Sequence, residues 1–514
     1  MKFFRMNFCQ ARVRLVQAGT VLAAAALVAG CGNNYRSAII PISESGPAAQ
    51  PTSYAVAVSA PSATTPGIAT IIDYSGDSIM ASAAVGIGPT SFTVDAGGVT
   101  GYTLNSDHTL TEFPVSTSLQ EKLIQYTTLP PLAQPLNLFS PTAGLWSTDL
   151  HGNLLDIFVG SPLAFLNSIP IAPAPVMVVG SGTNALRYFT LSQNIVAPNG
   201  LECNTTPAAE PPGEVTGIEL SGYSSDPPFQ VGRCPVFEVL SSDGKRLFVL
   251  NRGDDTISVI NVQNDTLDTC TPFLNQAGQK VTCHPTLPLS LNAVAALNLI
   301  SPGSGTPPNG IAGMTQTAGP VYADYNAATN QLVVANYDGG TISVIDVSLD
   351  EYGNDSSTFG TTFTIPLSNN PASMNPASVT VLYDGSRAYT ANQSDQTVTI
   401  VNLSSHTVEK TLPVSGHPRT VVSTQNSTQG KVYVASPDSD VLTLIRTDQD
   451  IVDTTLLLQG NVVDVRVSSQ NGKGGNNNNV SRIPGYGQPC NLPPSVEPAP
   501  TGAQTALQVC QQMP

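Results

Sequence analysis

Charge is scarce in this chain. Of its 514 residues only 11% are Asp, Glu, Lys or Arg, and 20 basic residues face 36 acidic ones. That balance excludes a surface built to neutralise phosphates, and with it nucleic acid as a partner. No Lys/Arg cluster offsets the deficit. The acids are spread rather than run together, which serves solubility. Aromatic residues are few as well, at 6%, and Trp146 is the single tryptophan. No glycine-rich loop leads a strand into a helix, and neither GxSxG nor HExxH occurs. Asn264 to Thr269 falls short of a calcium loop. No cofactor is therefore expected. What is plentiful is glycine and proline, 43 and 42 residues, beside small and β-branched side chains. Many short strands joined by turns have that composition. Length alone argues for several domains, but large all-β toroids are the exception.

The first 30 residues hold Lys2, Arg5, Arg12 and Arg14 and no acid, and the apolar run VLAAAALVAG then ends at Cys31. This run is too short to span a bilayer as a helix, and its flanks suit a secretory signal. Leu27-Val28-Ala29-Gly30-Cys31 resembles a bacterial lipobox. The resemblance implies cleavage before Cys31, a lipid on its sulfur and acylation of the new amine. It also implies a lipid-anchored, extracytoplasmic protein of the bacterial cell envelope, with the bilayer as a partner. Several acyl chains would hold it stably at ~0.8 kcal/mol per buried methylene, where one would be marginal. Residues 1–30 then form the signal, and residues 31–52, with Ser, Gly and Pro, a lipidated tether. The mature chain keeps 16 basic against 36 acidic residues, a formal charge of −20.

Eight cysteines are present. Cys9 leaves with the signal and Cys31 takes lipid. Cys203, Cys234, Cys270, Cys283, Cys490 and Cys510 remain, and an even remainder in an exported chain reads as disulfides. None has a CxxC zinc spacing.

The chain repeats itself. RLFVLNRGDDTISVINV (246–262), QLVVANYDGGTISVIDV (331–347), YTANQSDQTVTIVNL (389–403) and KVYVASPDSDVLTLIRT (431–447) align without gaps. Asn251, Asn336, Asn392 and Ser436 fall in one column. Weaker copies put Asn105 and Thr148 there, and LRYFTLSQ (186–193) and SYAVAVSA (53–60) match the first half. Each copy follows a strand led by Pro or Gly, such as PVFEVLSSDGK or PASVTVLYDGS, and eight such strands are counted, ending with NVVDVRVSS (461–469). Asp243-Gly244 and Asp384-Gly385 mark tight hairpins. Four antiparallel strands at roughly 45-residue spacing make a propeller blade.

RAYTAN and KVYVAS, followed by VTIVNL, TLPVSGHP and TVV, resemble the YVTN-type β-propeller family, specifically from about 231 to 467 and loosely from 53 to 230. The resemblance implies a closed propeller, and since known members are mostly seven-bladed, seven remains the alternative to eight. The chain begins near Tyr54 with a second-type strand and ends with the orphan 461–469. Pairing the two closes the ring, so the fold class expected is an all-β propeller over 53–469. Residues 470–514 form an irregular Asn/Gly/Pro-rich tail that Cys490 and Cys510 could staple.

Alternating strands sort the loops by face. Second-to-third connections and those between blades emerge on one face, here the top, and the others below. The long insertions 197–214, 301–319 and 368–375 are then on top, and the one carrying Cys270 and Cys283 lies below. Cys203 and Cys234 both map to the top, so that pair is allowed, and locality favours Cys270–Cys283. Fifteen connectivities remain possible for six cysteines. Asp107, Asp149, Asp255, Asp338, Asp395 and Asp440 recur in the top turns. Such turns use Asp for local backbone bonds; the functional alternative is an acidic rim for cations or a basic partner. His108 and His151 sit in similar turns and form a conceivable metal pair with Asp107 and Asp149, although ordinary turn duty explains all four. His284, His406 and His417 have no evident carboxylate company. The column asparagines read as structural, satisfying turn amides.

Three functions follow. One is a membrane-anchored binding scaffold whose top loops take a protein, envelope polymer or small ligand. Another is an enzyme, since the resemblance extends to propellers that hydrolyse sugar lactones; such sites need clustered His, Glu or Arg, in which these top turns are poor. The last is a structural envelope protein without a discrete ligand. Fold alone does not choose among them.

Overall fold

The computed structural model describes residues 53–141, 144–180, 187–195, 211–289, 317–424, 430–468 and 481. The signal, the tether with Cys31, and Cys203, Cys490 and Cys510 lie outside these residues. So do most of the insertions 197–214 and 301–319.

Among the described residues, eight antiparallel sheets follow one another along the chain, each ordered from an axial first strand outward. Eight blades, not seven, form the propeller. Blade 1 holds Tyr54–Ala60, Pro66–Asp73 and Ile79–Ile87, and takes its first strand, Asn461–Val467, from the other end of the chain. Blades 2 to 8 start at Pro89–Val94, Pro135–Phe139, Pro175–Gly180, Pro235–Leu240, Pro320–Asn326, Pro376–Val381 and Thr420–Ser423. These are the eight leading strands expected from the repeat.

Burial grades outward, and the sequence follows it. The second strand of blade 5, Arg246–Asn251, is buried along its whole length. It stacks against blades on both faces, so RLFVLN shows no alternation. The outermost strand of blade 7, Thr407–Pro413, is almost wholly exposed and carries Glu409 and Lys410. Charged residues on outer strands discourage edge-to-edge pairing. At the lower hairpins, Gly244 (φ +70°) and Gly385 (φ +68°) take left-handed backbone, while the Asp243 and Asp384 carboxylates accept the amides of Lys245 and Ser386.

Closure is a ladder from Ala55 opposite Val467 to Ala60 opposite Asn461. Beyond its lower end, the Tyr54 amide donates to Ser468 Oγ and the Ser468 amide to Tyr54 O, both at 2.8 Å. In blade 5 the cysteine insertion splits the fourth strand rather than preceding it. Thr266–Leu267 and Thr286–Pro288 both pair with Thr256–Asn261. Between them lie the Phe273–Leu274/Lys280–Val281 hairpin and the Cys270–Cys283 disulfide.

The asparagine column is structural, but by another route than expected. Nδ2 of Asn392 donates to the hydroxyls of Thr397 (3.0 Å) and Thr399 (2.7 Å) on the third strand. Asn251 and Asn336 do the same to Thr256/Ser258 and Thr341/Ser343, and Asn105 to Thr109/Thr111. The partners are third-strand hydroxyls, buried or half-buried, rather than turn amides. The sequence signal was present as Asn followed, four or five places on, by Thr-x-Ser/Thr. Replacing Asn392 by Ala strands two hydroxyls and is expected to cost ~1–3 kcal/mol. Denaturant unfolding checks this, and an unchanged midpoint would remove the column from the stability account.

Candidate functional site

The top turns differ in what their acids do. Asp255 Oδ1 accepts the amides of Ala318 (2.9 Å) and Gly319 (2.7 Å), tying blade 5 to the start of blade 6. Burial raises the proton affinity of Asp255 in spite of those two amides, and Asp338 and Asp254 add to the rise. Asp338 takes Arg252 in a two-point bond at 2.9 and 2.7 Å, with the guanidinium 5.6 Å from the Tyr337 ring centre. Both acids are committed to the fold. Asp395 and Asp440 are exposed; Asp395 accepts only a local bond from the Thr397 hydroxyl at 3.1 Å.

The four residues considered for a metal take up turn roles. Asp149 is buried and accepts the amides of Gln134 (2.6 Å) and His151 (2.9 Å). Exposed Asp107 accepts the Thr109 hydroxyl at 2.6 Å, and His108 occupies left-handed backbone at φ +66°. Among the described residues no three His, Cys, Asp or Glu lie close enough to hold a metal ion.

Two histidines do have carboxylate company, against the sequence expectation. His417 donates its backbone amide to Asp438 Oδ1 at 2.7 Å, and its Nδ1 lies 2.5 Å from Oδ2. Its Nε2 is 3.1 Å from Gln396 Nε2, so Gln396 donates, Nε2 accepts and Nδ1 carries the hydrogen to Asp438. His284 Nδ1 lies 2.8 Å from Asp355 Oδ2, and Arg246 reaches the other oxygen of that carboxylate at 3.1 Å. This second group fastens the lower insertion of blade 5 to blade 6. The partners are 21 and 71 residues away; the first spacing recurs in blade 5, where the Arg233 amide donates to Asp254 Oδ2 at 2.6 Å, and the second leaves no mark in a local motif. His406 stacks on Phe363 at 3.9 Å, and burial lowers its proton affinity. Cys234 is disulfide-bonded, with its partner outside the described residues. Asp395, Gln396, His417 and Asp440 thus gather an acidic, accessible segment of rim over blades 7 and 8.

The axis is polar on one side and apolar on the other. Counting from each leading proline, the second and fourth residues reach toward the next blade. Asn137 Oδ1 accepts the Val178 amide (3.2 Å) and Met177 Sδ that of Glu238 (3.4 Å). Asp324 Oδ2 accepts that of Val381 (2.7 Å), and the Ser378 and Thr380 hydroxyls accept those of Val421 and Ser423. The third residue faces away into the stack between blades. It is Phe92, Leu138, Val178, Ala323, Val379 or Val421, but in blade 5 it is Glu238. Glu238 is fully buried, and neither of its carboxylate oxygens has a hydrogen-bond partner among the described residues. Desolvation alone drives its proton affinity well up.

Comparison with known families and with curated proteins finds no match. Solved structures do match. AztD from Citrobacter koseri is similar at TM-score 0.50 and 11% identity, over 81% of this chain and 97% of that one. A Bacteroides fragilis protein described as a candidate 6-phosphogluconolactonase gives 0.46 and 14%, over 82% and 99%. Sqt1 of Saccharomyces cerevisiae gives 0.47 and 10%, over 76% and 95%. At such identities the likeness is one of fold.

Burial raises the proton affinity of Glu238 well above that of an unfolded glutamate, which ionises near 4.5. Above that value the native state keeps a proton that the unfolded chain has lost, so stability falls as pH rises. Glu238→Leu, which restores the apolar column, is expected to stabilise by ~1–3 kcal/mol at about pH 7 and by much less at about pH 4. Glu238→Gln should flatten the pH dependence. Unfolding curves at both pH values test this; parallel behaviour of wild type and E238Q would refute it.

Proposed function

We propose that this chain is an extracytoplasmic propeller, anchored through lipid on Cys31, that binds a positively charged partner from the cell envelope across the top rim of blades 7 and 8. The observation that carries the reading is the unequal use of the rim acids. Asp255 and Asp338 are spent on joining blades, while Asp395 and Asp440 stand exposed in the turns that carry Gln396 and Asp438, the two residues that hold the His417 ring in place. An ordered ring with exposed carboxylates in the neighbouring turns suits recognition of an ammonium or guanidinium group, and the mature charge of −20 would steer such a partner inward. The lipobox and the YVTN-type resemblance support the location and the scaffold role. A lactonase-like or metal-dependent enzyme has no comparable cluster behind it among the described residues.

Two experiments bear on this. Cys31→Ser is expected to shift the protein from the membrane fraction to the soluble one; retention in the membrane would count against the anchor. Immobilised unlipidated protein should capture a basic envelope component that ~1 M salt releases. Asp395→Lys with Asp440→Lys should abolish capture, while Leu274→Glu on the lower hairpin should leave it intact. Capture untouched by the lysine pair would end the top-rim reading. No capture at all would favour a structural envelope role.

A further inference from the structure

Exposed large apolar side chains are spread unevenly over the described residues. Third-to-fourth connections lie at the lower end of the wheel, and fourth strands begin there. Val99, Tyr223, Phe273, Leu274 and Tyr352 stand open in lower connections or in the hairpin of blade 5. Ile79, Phe165, Val408 and Val452 stand open at the first or second residue of fourth strands. Between them, all eight blades contribute. Among the described residues the top keeps only Leu132 and Leu457. Single exposed apolar residues are ordinary. A set confined to one end of a closed ring, with at least one member from every blade, is a contact surface.

The blade 5 hairpin belongs to this collar. Asn275 Nδ2 donates to Asp350 Oδ2 at 3.2 Å, in the lower connection of blade 6 that also carries Tyr352. That bond holds the tip in place, with Leu274 68% exposed. Charge gives the face no net pull. Lys122, Lys245 and Lys280 are exposed beside the collar, but so are Glu121, Asp243 and Glu351. What this face offers is apolar contact. The chain also enters the ring at the same end. Tyr54 opens a second strand at the foot of the closure ladder, where its amide donates to Ser468 Oγ, so residues 31–52 join the propeller on that side.

We propose that the lower face is the membrane-facing side of the wheel, its apolar collar seated in the headgroup region of a bilayer and its top rim turned away. A flat lipid surface meets residues from all eight blades at once, and the chain that leads back to Cys31 departs from that side. Aromatic and aliphatic tips with lysines beside them suit a membrane interface, where the lysine stems lie along apolar surface and their heads reach the headgroups. The proposal rests on the lipid-anchor reading for what brings the bilayer close. It does not depend on the top-rim reading.

Tryptophan fluorescence tests it on the full chain, in the lipidated form and as Cys31→Ser. Phe273→Trp reports on the lower face and Leu457→Trp on the top, while Trp146 is only 4% exposed and stays silent. The probe is a phosphatidylcholine vesicle with brominated acyl chains, which quench an indole they touch. Quenching at 273 and none at 457 is expected in the lipidated form. Leu274→Glu with Tyr352→Glu should weaken that quenching and lower vesicle partitioning of the Cys31→Ser form by about tenfold or more. Raising salt to ~1 M should change neither. Flotation with the vesicles reads the anchor separately. Flotation of the lipidated form without quenching at 273, or with equal quenching at 273 and 457, would overturn the proposal and leave the anchor standing. Quenching at 273 alone, with the two forms floating alike, would keep the lower-face contact and remove the anchor. Absence of quenching at 273 in both forms would overturn the proposal whatever the flotation.

Discussion

The first strand of each blade has a neighbour on one side only. Its other edge faces the axis, where unpaired amides would be stranded in a dry interior at a cost of ~1–3 kcal/mol each. This protein meets the constraint with side chains from the blade before. Asn137, Met177, Asp324, Ser378 and Thr380 each reach forward to a backbone amide of the next first strand. Each blade so linked is held at its core by the one it follows. Stacking of apolar faces supplies the bulk of the stability, and these forward bonds add a polar tie at four of the junctions.

The Asn-to-hydroxyl bonds repeat the principle one strand further out. There, a single amide bridges two buried hydroxyls on the third strand, as Asn336 does with Thr341 and Ser343. The column asparagines lie deep in the wheel because each has a fixed place in the repeat, and the repeat brings its hydroxyl partners with it.

Architecture was legible because it depends on local, repeated signals. Leading prolines, Asp-Gly hairpins and the asparagine column each recur at a fixed offset, so the blade boundaries and the ring closure could be read from the chain. What escaped lies between elements far apart in sequence. Arg246 finds Asp355 over 109 residues, and Ser481 finds Leu138 over 343. No periodicity encodes such meetings. Glu238 was a different kind of miss. Its strand was recognised, but only the comparison of first strands by position shows it to be the one charged residue in an apolar column. Rim acids that look alike in the sequence also part company once their neighbours are known, as Asp338 and Asp395 do.

The closure ladder has a consequence for the order of assembly. The strand beginning at Tyr54 leaves the ribosome well before the strand it needs on its axial side, which ends at Val467, some 400 residues later. Until that segment is made, the growing chain carries an unsatisfied edge at its leading blade, open to wrong pairing with other chains. Folding to the finished ring must wait until that segment has been made, and the long separation of the two partners predisposes the final step to be slow. A cell making this protein therefore has reason to keep the nascent chain unfolded, or chaperoned, until both ends are free to meet.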